Sequence, residues 1–211
     1  MEPKEEHRYP LEPRVKIFLL NGPPRVGKDT TANMLSAMLE NARIMRFAEP
    51  VKMSAHAIMR MLKGSGTVPL CEAFDGCKDE PSPYFRGLAP REVYIAVSED
   101  LCKPLFGKDI FGKLLAERIQ EMKDQGVENF IIPDSGFQEE AMVLKEHFGD
   151  QVYVLNLRRN GTCFNGDSRG RIYLKDNLTY DIGNNGTRGD LRVRVSEVLR
   201  DIENGWVRSD D

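Results

Sequence analysis

Short apolar runs alternate along the chain with stretches in which apolar residues recur every three or four positions. An unbroken apolar run bounded by polar residues is typical of a strand buried on both faces of a parallel sheet, and the wider spacing is typical of an amphipathic helix. The runs predict strands at residues 15–20, 44–48, 129–133, 152–157 and 178–182. The spaced stretches predict helices at residues 30–40, 51–62, 90–102, 108–122, 138–147 and 191–202. This alternation predicts an α/β fold, with a five-stranded parallel sheet flanked by helices.

Three stretches do not follow the alternation. Residues 63–87 are rich in glycine and proline and show little periodicity, so we interpret them as an inserted flap. Residues 158–175, after the fourth predicted strand, are polar and rich in arginine, which indicates a loop over the end of the sheet. Residues 1–14 are charged and contain three prolines, which favours a flexible arm ahead of one domain at residues 15–211.

Composition narrows the class of protein. With 211 residues, 40% hydrophobic and 30% charged, the chain resembles an ordinary soluble domain, and its net charge of −3 argues against nucleic-acid binding over the whole surface. Its four cysteines and three histidines lack the spacing of a zinc site or a disulfide framework, so we expect reduced thiols. No apolar run reaches the ~20 residues of a membrane span, and the first residues lack a signal-peptide pattern. We therefore expect a cytoplasmic protein without a membrane partner.

A phosphate-binding loop follows the first predicted strand. Residues 22–28 read Gly-Pro-Pro-Arg-Val-Gly-Lys, which is the GxxxxGK pattern, and a predicted helix comes directly after it. In such a loop the backbone N–H groups, here including those of Arg25 and Val26, point inward at phosphates, and the helix N-terminus adds a favourable dipole. Gly22 and Gly27 allow close approach of the backbone, and Lys28 reaches the β- and γ-phosphates.

Two carboxylates are candidate magnesium ligands. Asp29 stands where this pattern has serine or threonine, with Thr30 next, and a carboxylate there keeps a role in holding Mg²⁺. The alternative is that Asp29 caps the following helix. Asp134 ends the third predicted strand, at the edge where a parallel sheet binds ligands, and we predict that it orients Mg²⁺ or the acceptor. Its alternative role is to cap the helix that begins near Phe137.

Basic residues outside the loop suit a reaction that moves a phosphoryl group. Such a reaction spreads negative charge over the transferred group, and arginines on a closing lid stabilise that charge. The lid segment contains four of them, of which we predict catalytic roles for the first and third: Arg158, Arg159, Arg169 and Arg171. Lys52 and Arg91 lie near helix N-termini at the same edge of the sheet and are candidates for binding the phosphate of an acceptor. We expect Arg86, in the flap, to be a surface residue.

Four blocks of the sequence resemble one family. They read GPPRVGKDTTANML, FAEPVK, FIIPDSGFQEEA and YDIGNNGTRGDL, occur in the expected order and span about residues 15–199. Together they resemble the phage-type deoxynucleoside monophosphate kinases, which belong to the P-loop nucleoside monophosphate kinases. The resemblance implies an adenylate-kinase-like sheet, an acceptor flap, an arginine lid, the use of ATP and Mg²⁺, and a product that is a deoxynucleoside diphosphate. It also implies that residues 184–187, including Asn185, Gly186 and Thr187, lie beside the donor adenine. For a phage protein the location is the host cytoplasm.

One departure from the family opens a second interpretation. The family usually carries an arginine shortly after the strand-3 aspartate, whereas here Ser135, Gly136 and Phe137 follow Asp134. An uncharged Ser135 at the acceptor site leaves room for a larger acceptor, as in the related phage kinases that phosphorylate 5-hydroxymethyluracil in DNA. Asp134 would then remove the hydroxyl proton.

The sequence leaves three readings and several properties open. A kinase acting on free nucleotides is the first reading, a kinase acting on DNA is the second, and a P-loop NTPase without an acceptor is the third. The lid arginines and the flap argue against the third, because a nucleotide switch needs neither. The base that is preferred and the oligomeric state are not determined, and a homodimer is compatible with the sequence.

Overall fold

Five parallel strands form one sheet. The computed structural model describes residues 15–63, 74, 76–174 and 179–205. The strands are β1 (Lys16–Asn21), β2 (Ala42–Ile44), β3 (Asn129–Ser135), β4 (Val152–Arg158) and β5 (Thr179–Gly183). They lie in the order β2-β3-β1-β4-β5, and all four neighbouring pairs are parallel. The predicted α/β fold with a five-stranded parallel sheet is confirmed.

Helices connect the strands and flank the sheet. They are α1 (Lys28–Met38), α2 (Glu49–Lys63), α3 (Pro90–Ile95), α4 (Lys103–Phe106), α5 (Ile110–Asp124), α6 (Gln138–Phe148) and α7 (Arg188–Glu203). A π-helical segment, Ala96–Cys102, joins α3 to α4, so the helix predicted at residues 90–102 is longer and changes its winding. Short 3₁₀ turns occur at Pro83–Phe85 and Gly149–Gln151.

The sheet is buried on both faces. Along β1, Ile17 and Leu19 face one core and Phe18 and Leu20 face the other, and each of these side chains is fully buried. The first core is closed by α2, α5 and α6, and the second by α1 and α7. This two-sided burial explains the continuous apolar runs of the strands, and it leaves the carboxyl ends of the strands as the place for a ligand site.

The second strand lies earlier in the chain than predicted. It was expected at residues 44–48, but the structure has it at Ala42–Ile44. The backbone leaves the sheet because the N–H groups of Phe47 and Ala48 donate to the Asp134 carboxylate instead of to a neighbouring strand. Met45 and Phe47 are nevertheless buried, which is why their apolar character resembled that of a strand.

Part of the predicted flap packs against the helices. His56 of α2 lies 5.2 Å from the Phe74 ring and 5.5 Å from the Phe85 ring, between ring centroids. Tyr94 of α3 borders the same cluster, and its hydroxyl lies 3.0 Å from His56 Nε2. The rest of the flap, at residues 64–73 and 75, lies outside the described residues, as do the predicted arm at residues 1–14 and the end of the lid segment at residue 175.

Two further expectations concern chemistry rather than fold. Within the described ranges, no helix is both long enough and apolar enough to cross a bilayer. Cys102 and Cys163 carry free thiols, in line with the expectation of reduced cysteines at these two positions.

Candidate active site

The loop between β1 and α1 needs both of its glycines. Gly22 has a φ of 155°, and a Cβ built on it would lie 2.8 Å from Val26 Cγ1 and 2.9 Å from the Leu157 carbonyl oxygen. Gly27 has a φ of 106°, and its Cβ would lie 2.5 Å from Asn184 Nδ2. Both positions therefore combine a left-handed backbone with a close approach that a side chain would prevent.

Lys28 lies at the centre of the site. Its Nζ donates to the carbonyl oxygens of Gly22, at 2.5 Å, and Pro23, at 2.9 Å, so the ammonium is held inside the loop. The pKa of Lys28 is lowered to about 8, chiefly by burial and also by the positive charge of Arg169, whereas three nearby carboxylates oppose the shift. These carboxylates belong to Asp167, Asp29 and Asp134. The charged groups around the lysine thus come from its own helix turn, from the end of β3 and from the segment after β4.

Asp134 anchors the turn after β2. Its Oδ1 accepts from the Phe47 N–H at 3.1 Å and its Oδ2 from the Ala48 N–H at 3.0 Å. Burial raises the pKa of the Asp134 carboxyl, while the two N–H groups and the charge of Arg46 oppose that shift. The alternative role as a cap of α6 is not observed, because Phe137 is the N-cap residue of that helix and no side chain caps it.

Asp29 is exposed in the first turn of α1. Its carboxylate is 75% exposed and pairs with Arg46 at 3.0 Å. Gly27 is the N-cap residue of α1, and no side chain caps it, so the alternative role of Asp29 as the cap is not observed. Thr30 follows, half-buried in the same turn.

The structure separates the two arginines that we expected to be catalytic. The charge of Arg169 contributes to lowering the pKa of Lys28. Arg169 also binds Asp167, through Nε at 2.8 Å and Nη2 at 2.6 Å. Arg158 instead pairs with Asp181 of β5, at 2.9 and 2.7 Å. Arg169 is therefore the arginine of this segment that the structure brings to the lysine.

The turn before α7 borders the phosphate-binding loop. Asn184 Nδ2 donates to the Val26 carbonyl at 2.8 Å, which joins this turn to the loop. Asn185 Oδ1 accepts from the Asn160 N–H at 2.7 Å, so Asn185 holds the segment after β4. Asn184 is the residue of this turn that contacts the loop directly.

The other two residues of this turn are part of a helix cap. The Thr187 hydroxyl accepts from the Asp190 N–H at 3.2 Å, and the Asp190 carboxylate accepts from the Thr187 N–H at 2.7 Å. Gly186 packs against the same carboxylate, since a Cβ there would lie 2.5 Å from Asp190 Oδ2. The Thr187 side chain is thus engaged in starting α7.

The three residues predicted to bind the acceptor lie in different environments. Arg91 is exposed and forms an ion pair with Asp79. The charge of Arg25 in the phosphate-binding loop also contributes to lowering the pKa of the Asp79 carboxyl. Lys52 is half-buried on α2. Ser135 is 1% exposed and its hydroxyl donates to the Ile132 carbonyl at 3.1 Å, so the structure does not present that hydroxyl to an acceptor.

Two functional candidates escaped the sequence analysis. Asp167 lies within the arginine-rich segment, and no motif or spacing in the sequence marks this single acid as functional. Asn21 is fully buried at the end of β1, and its Nδ2 donates to the carbonyls of Ser135, at 3.2 Å, and Gly170, at 2.8 Å. A polar residue between an apolar strand and Gly22 was a signal that could have identified Asn21.

A cavity of about 310 Å³ opens between the π-helical segment and the start of α6. Its lining is Glu99, Lys103, Pro104, Lys108, Phe137 and Glu139. The Lys103 side chain is 9% exposed, and its Nζ lies 2.7 Å from Glu99 Oε1 and 3.8 Å from the centroid of the Phe137 ring. The cavity thus combines an aromatic face with charges of both signs.

Comparison with known proteins does not assign a function to this site. No protein-family model matches the chain, and no curated protein sequence matches it. Among solved structures, the chain is similar to thymidylate kinase from Candida albicans, with 14% sequence identity over 94% of this chain and 96% of that chain, and a TM-score of 0.40. The assignment of the site therefore rests on its own geometry.

The lowered pKa of Lys28 predicts a pH-dependent affinity for ATP. Because only the protonated ammonium attracts phosphate, the dissociation constant should rise about tenfold between pH 7 and pH 9, with a midpoint near the lysine pKa of about 8. Calorimetric titration with ATP, without an acceptor, measures this change. Lys28→Arg is the matched control, since a guanidinium stays charged throughout this range and should remove the dependence. A wild-type affinity that is flat over this range contradicts the prediction.

Proposed function

We propose that the protein is an ATP-dependent kinase that transfers the γ-phosphate to a deoxynucleoside monophosphate and yields the diphosphate. The observation that carries the proposal is the grouping of Lys28, Asp134, Asp167 and Arg169 beside the phosphate-binding loop, at the carboxyl edge of the sheet. Two cations placed over one phosphate site, with carboxylates to orient them, suit the charge that develops on a phosphoryl group in transfer.

The carboxylates of this site fit magnesium. Within the described part of the chain, no group of three or more His, Cys, Asp or Glu residues could hold a metal ion. Enzymes that transfer phosphoryl groups bind Mg²⁺ through one or two carboxylates together with the phosphates of the substrate. The exposed Asp29 and the nearby Asp134 can provide those carboxylates. A bound Mg²⁺ would neutralise charge on the phosphates, and the residues of the chain then orient the nucleotide.

The proposed reaction needs a group that binds the acceptor phosphate and a surface that receives the acceptor base. In the proposed reaction an acceptor phosphate oxygen forms a bond to the γ-phosphorus, the bond to the β-phosphate oxygen breaks, and ADP leaves. We assign Arg91 to the acceptor phosphate, because Arg91 pairs with Asp79 and the charge of Arg25 in the loop contributes to lowering the pKa of the Asp79 carboxyl. The cavity beside Phe137 suits an uncharged base, since its lysines and glutamates balance and its aromatic ring offers a stacking face.

A second acceptor class is supported by Asp134 itself. A hydroxyl acceptor must lose a proton during transfer, whereas an ionised phosphate need not. The raised pKa of Asp134 makes this carboxylate a better proton acceptor than an ordinary aspartate. This favours a hydroxymethyl group as acceptor, as in 5-hydroxymethyluracil within DNA, with the base flipped out of the duplex.

The deciding experiment offers γ-labelled ATP with each deoxynucleoside monophosphate in turn, and separately with duplex DNA that contains 5-hydroxymethyluracil. We expect the label to appear in a deoxynucleoside diphosphate. Label that appears in DNA, with no monophosphate labelled, replaces the proposal with the second candidate. Label released only as inorganic phosphate in every arm identifies an NTPase without an acceptor.

Arg91→Ala should separate the acceptor from the donor. Loss of a charge-assisted contact to the acceptor phosphate should raise the KM for the monophosphate about tenfold or more, with the KM for ATP nearly unchanged. The matched control is Arg86→Ala, which removes another exposed arginine from the same region. Steady-state kinetics with each substrate varied in turn would distinguish the two. An equal rise in both KM values, or the same effect from Arg86→Ala, contradicts the role of Arg91.

A further inference from the structure

The turn between β3 and α6 has no side chain at the position that faces the arginine-rich segment. Gly136 is buried there, and a Cβ built on it would lie 2.5 Å from Arg169 Cβ and 2.6 Å from Arg169 Cγ and Cδ. Non-bonded contacts this short essentially never occur at a Cβ atom in folded proteins. Because the φ of Gly136 is outside the left-handed region, space rather than backbone conformation requires the glycine. The aliphatic part of Arg169 fills that space.

Backbone contacts hold the arginine segment in this place. The Gly170 N–H donates to the Gly136 carbonyl at 2.8 Å. The buried Asn21 side chain donates to the Gly170 carbonyl at 2.8 Å and accepts from the Ile172 N–H at 3.4 Å. The residues that follow Arg169 are thus fastened to the end of β1, where the phosphate-binding loop begins, and to the turn after β3.

Asp167 sets the direction of the guanidinium. Its carboxylate accepts from Arg169 Nε and Nη2, at 2.8 and 2.6 Å, and from the Arg169 backbone N–H at 3.0 Å. The two side chains are 13% and 27% exposed, so both are mostly shielded from water. A guanidinium has five N–H groups, and the two that bind Asp167 leave three for another acceptor. The charge of Arg169 acts on Lys28, and the charge of Asp134 acts on Arg169.

We infer that Gly136 and Asp167 are positioning residues that seat Arg169 over the phosphate site, so that the missing side chain of the β3–α6 turn is replaced by an arginine from the segment after β4. The inference rests on the proposed kinase activity for its kinetic consequences. Arg169, as the cation that stabilises the transferred group, then depends on the packing of residues 167–172 against the turn at Gly136. The glycine therefore acts on the site through Arg169 and is not merely part of a tight turn.

A double-mutant cycle of the wild type and three variants tests whether Gly136 positions Arg169. Gly136→Ala should displace Arg169 and lower kcat about 100-fold, as Arg169→Gly should by itself. The double variant Gly136→Ala/Arg169→Gly should show the kcat of Arg169→Gly with no further loss, because both changes remove one interaction. The KM for ATP should change little in all three variants. A wild-type kcat for Gly136→Ala, or a further loss in the double variant, overturns the inference.

Thermal unfolding of the same proteins provides an arm that needs no reaction. Gly136→Ala should lower the midpoint temperature of unfolding by about 3–8 °C, because the added methyl group overpacks the turn. Adding Arg169→Gly should restore most of that loss, because it removes the side chain that occupies the space. If no acceptor is phosphorylated, the proposed function fails, but thermal unfolding still tests whether Arg169 packs against Gly136. No recovery in the double variant overturns the packing of Arg169 against Gly136.

Asp167→Asn tests the second positioning residue. A neutral amide keeps the size of the side chain but weakens the two-point contact, so kcat should fall about tenfold with the ATP dissociation constant within about twofold of wild type. Arg169→Lys is the comparison, because lysine keeps the charge and loses the fork. A rise in ATP affinity for Asp167→Asn overturns the role, since it would mean that Asp167 withholds Arg169 from the nucleotide.

Discussion

Replacing Lys28 with methionine should lower the rate of phosphoryl transfer by about 1,000-fold while the chain stays folded. The ammonium lies within the loop, held by the Gly22 and Pro23 carbonyls, and it is the cation of the GxxxxGK pattern that reaches the transferred phosphate. Methionine has a similar length and no charge, so the variant removes the electrostatic contribution and keeps most of the packing. Single-turnover transfer from labelled ATP, at saturating ATP, measures the effect on the chemical step.

The control for Lys28→Met is Lys113→Met, which removes an exposed lysine of α5 that pairs with Asp109, the residue before the helix. This change should leave the transfer rate within about twofold of wild type, because surface ion pairs contribute little. Circular dichroism and thermal unfolding of both variants show whether the fold is kept. Transfer by Lys28→Met at a tenth of the wild-type rate or faster would show that the loop does not act as a phosphate site.

Replacing Glu140 with glutamine should stabilise the protein at alkaline pH by about 4 kcal/mol and have little effect near pH 4. Glu140 is 3% exposed in the first turn of α6, where it packs against Gly112 of α5. The pKa of its carboxyl is raised from 4.5 to about 8, chiefly by burial and also by the charge of Asp134, while Lys103 opposes the shift. Folding therefore favours the protonated form of this side chain.

The sign of the pH dependence follows from that shift. Below pH 4.5 the carboxyl is protonated in the folded and the unfolded chain, and its stabilising contribution is fully present. As the pH rises towards 8, the unfolded chain gains by ionising and the folded chain does not, so that contribution is lost. Glutamine does not titrate, and the difference between the two proteins should grow over this interval.

Urea unfolding of wild type and Glu140→Gln at a series of pH values measures this difference directly. Glu139→Gln is the matched control, because Glu139 is the exposed neighbour on the same helix turn and its replacement should give a small and nearly constant difference. A difference for Glu140→Gln that does not change between pH 5 and pH 8 would contradict a buried carboxyl with a raised pKa.

Local patterns in the sequence were enough for the sheet and the phosphate-binding loop. The strand before Gly22, the GxxxxGK spacing and the helix from Lys28 occupy consecutive residues, so a single stretch of sequence contains the whole motif. The apolar runs predicted the other strands because parallel strands are buried on both faces and tolerate few polar residues. The exception was β2, where buried residues after the strand continued the apolar run.

The remaining parts of the site depend on contacts between distant segments. Asn21 and Gly170 are separated by 149 positions, and Phe47 and Asp134 by 87, and neither pairing leaves a periodic signal in the sequence. The same holds for the place of Arg169 against Gly136. From the sequence, Arg158 and Arg169 had the same predicted role, and the packing distinguishes them: Arg169 acts on Lys28, whereas Arg158 pairs with Asp181.

The sequence by itself determined the α/β class and the place of the glycine-rich loop and Lys28 between the first strand and the first helix, because local periodicity and a contiguous motif encode them. Only the tertiary structure decided which acids and arginines share the site, and that Ser135 turns into the sheet while Gly136 receives Arg169. The physical reason is that charge interactions and close packing act through space. They depend on where the strand ends meet, and no spacing along the chain specifies that arrangement.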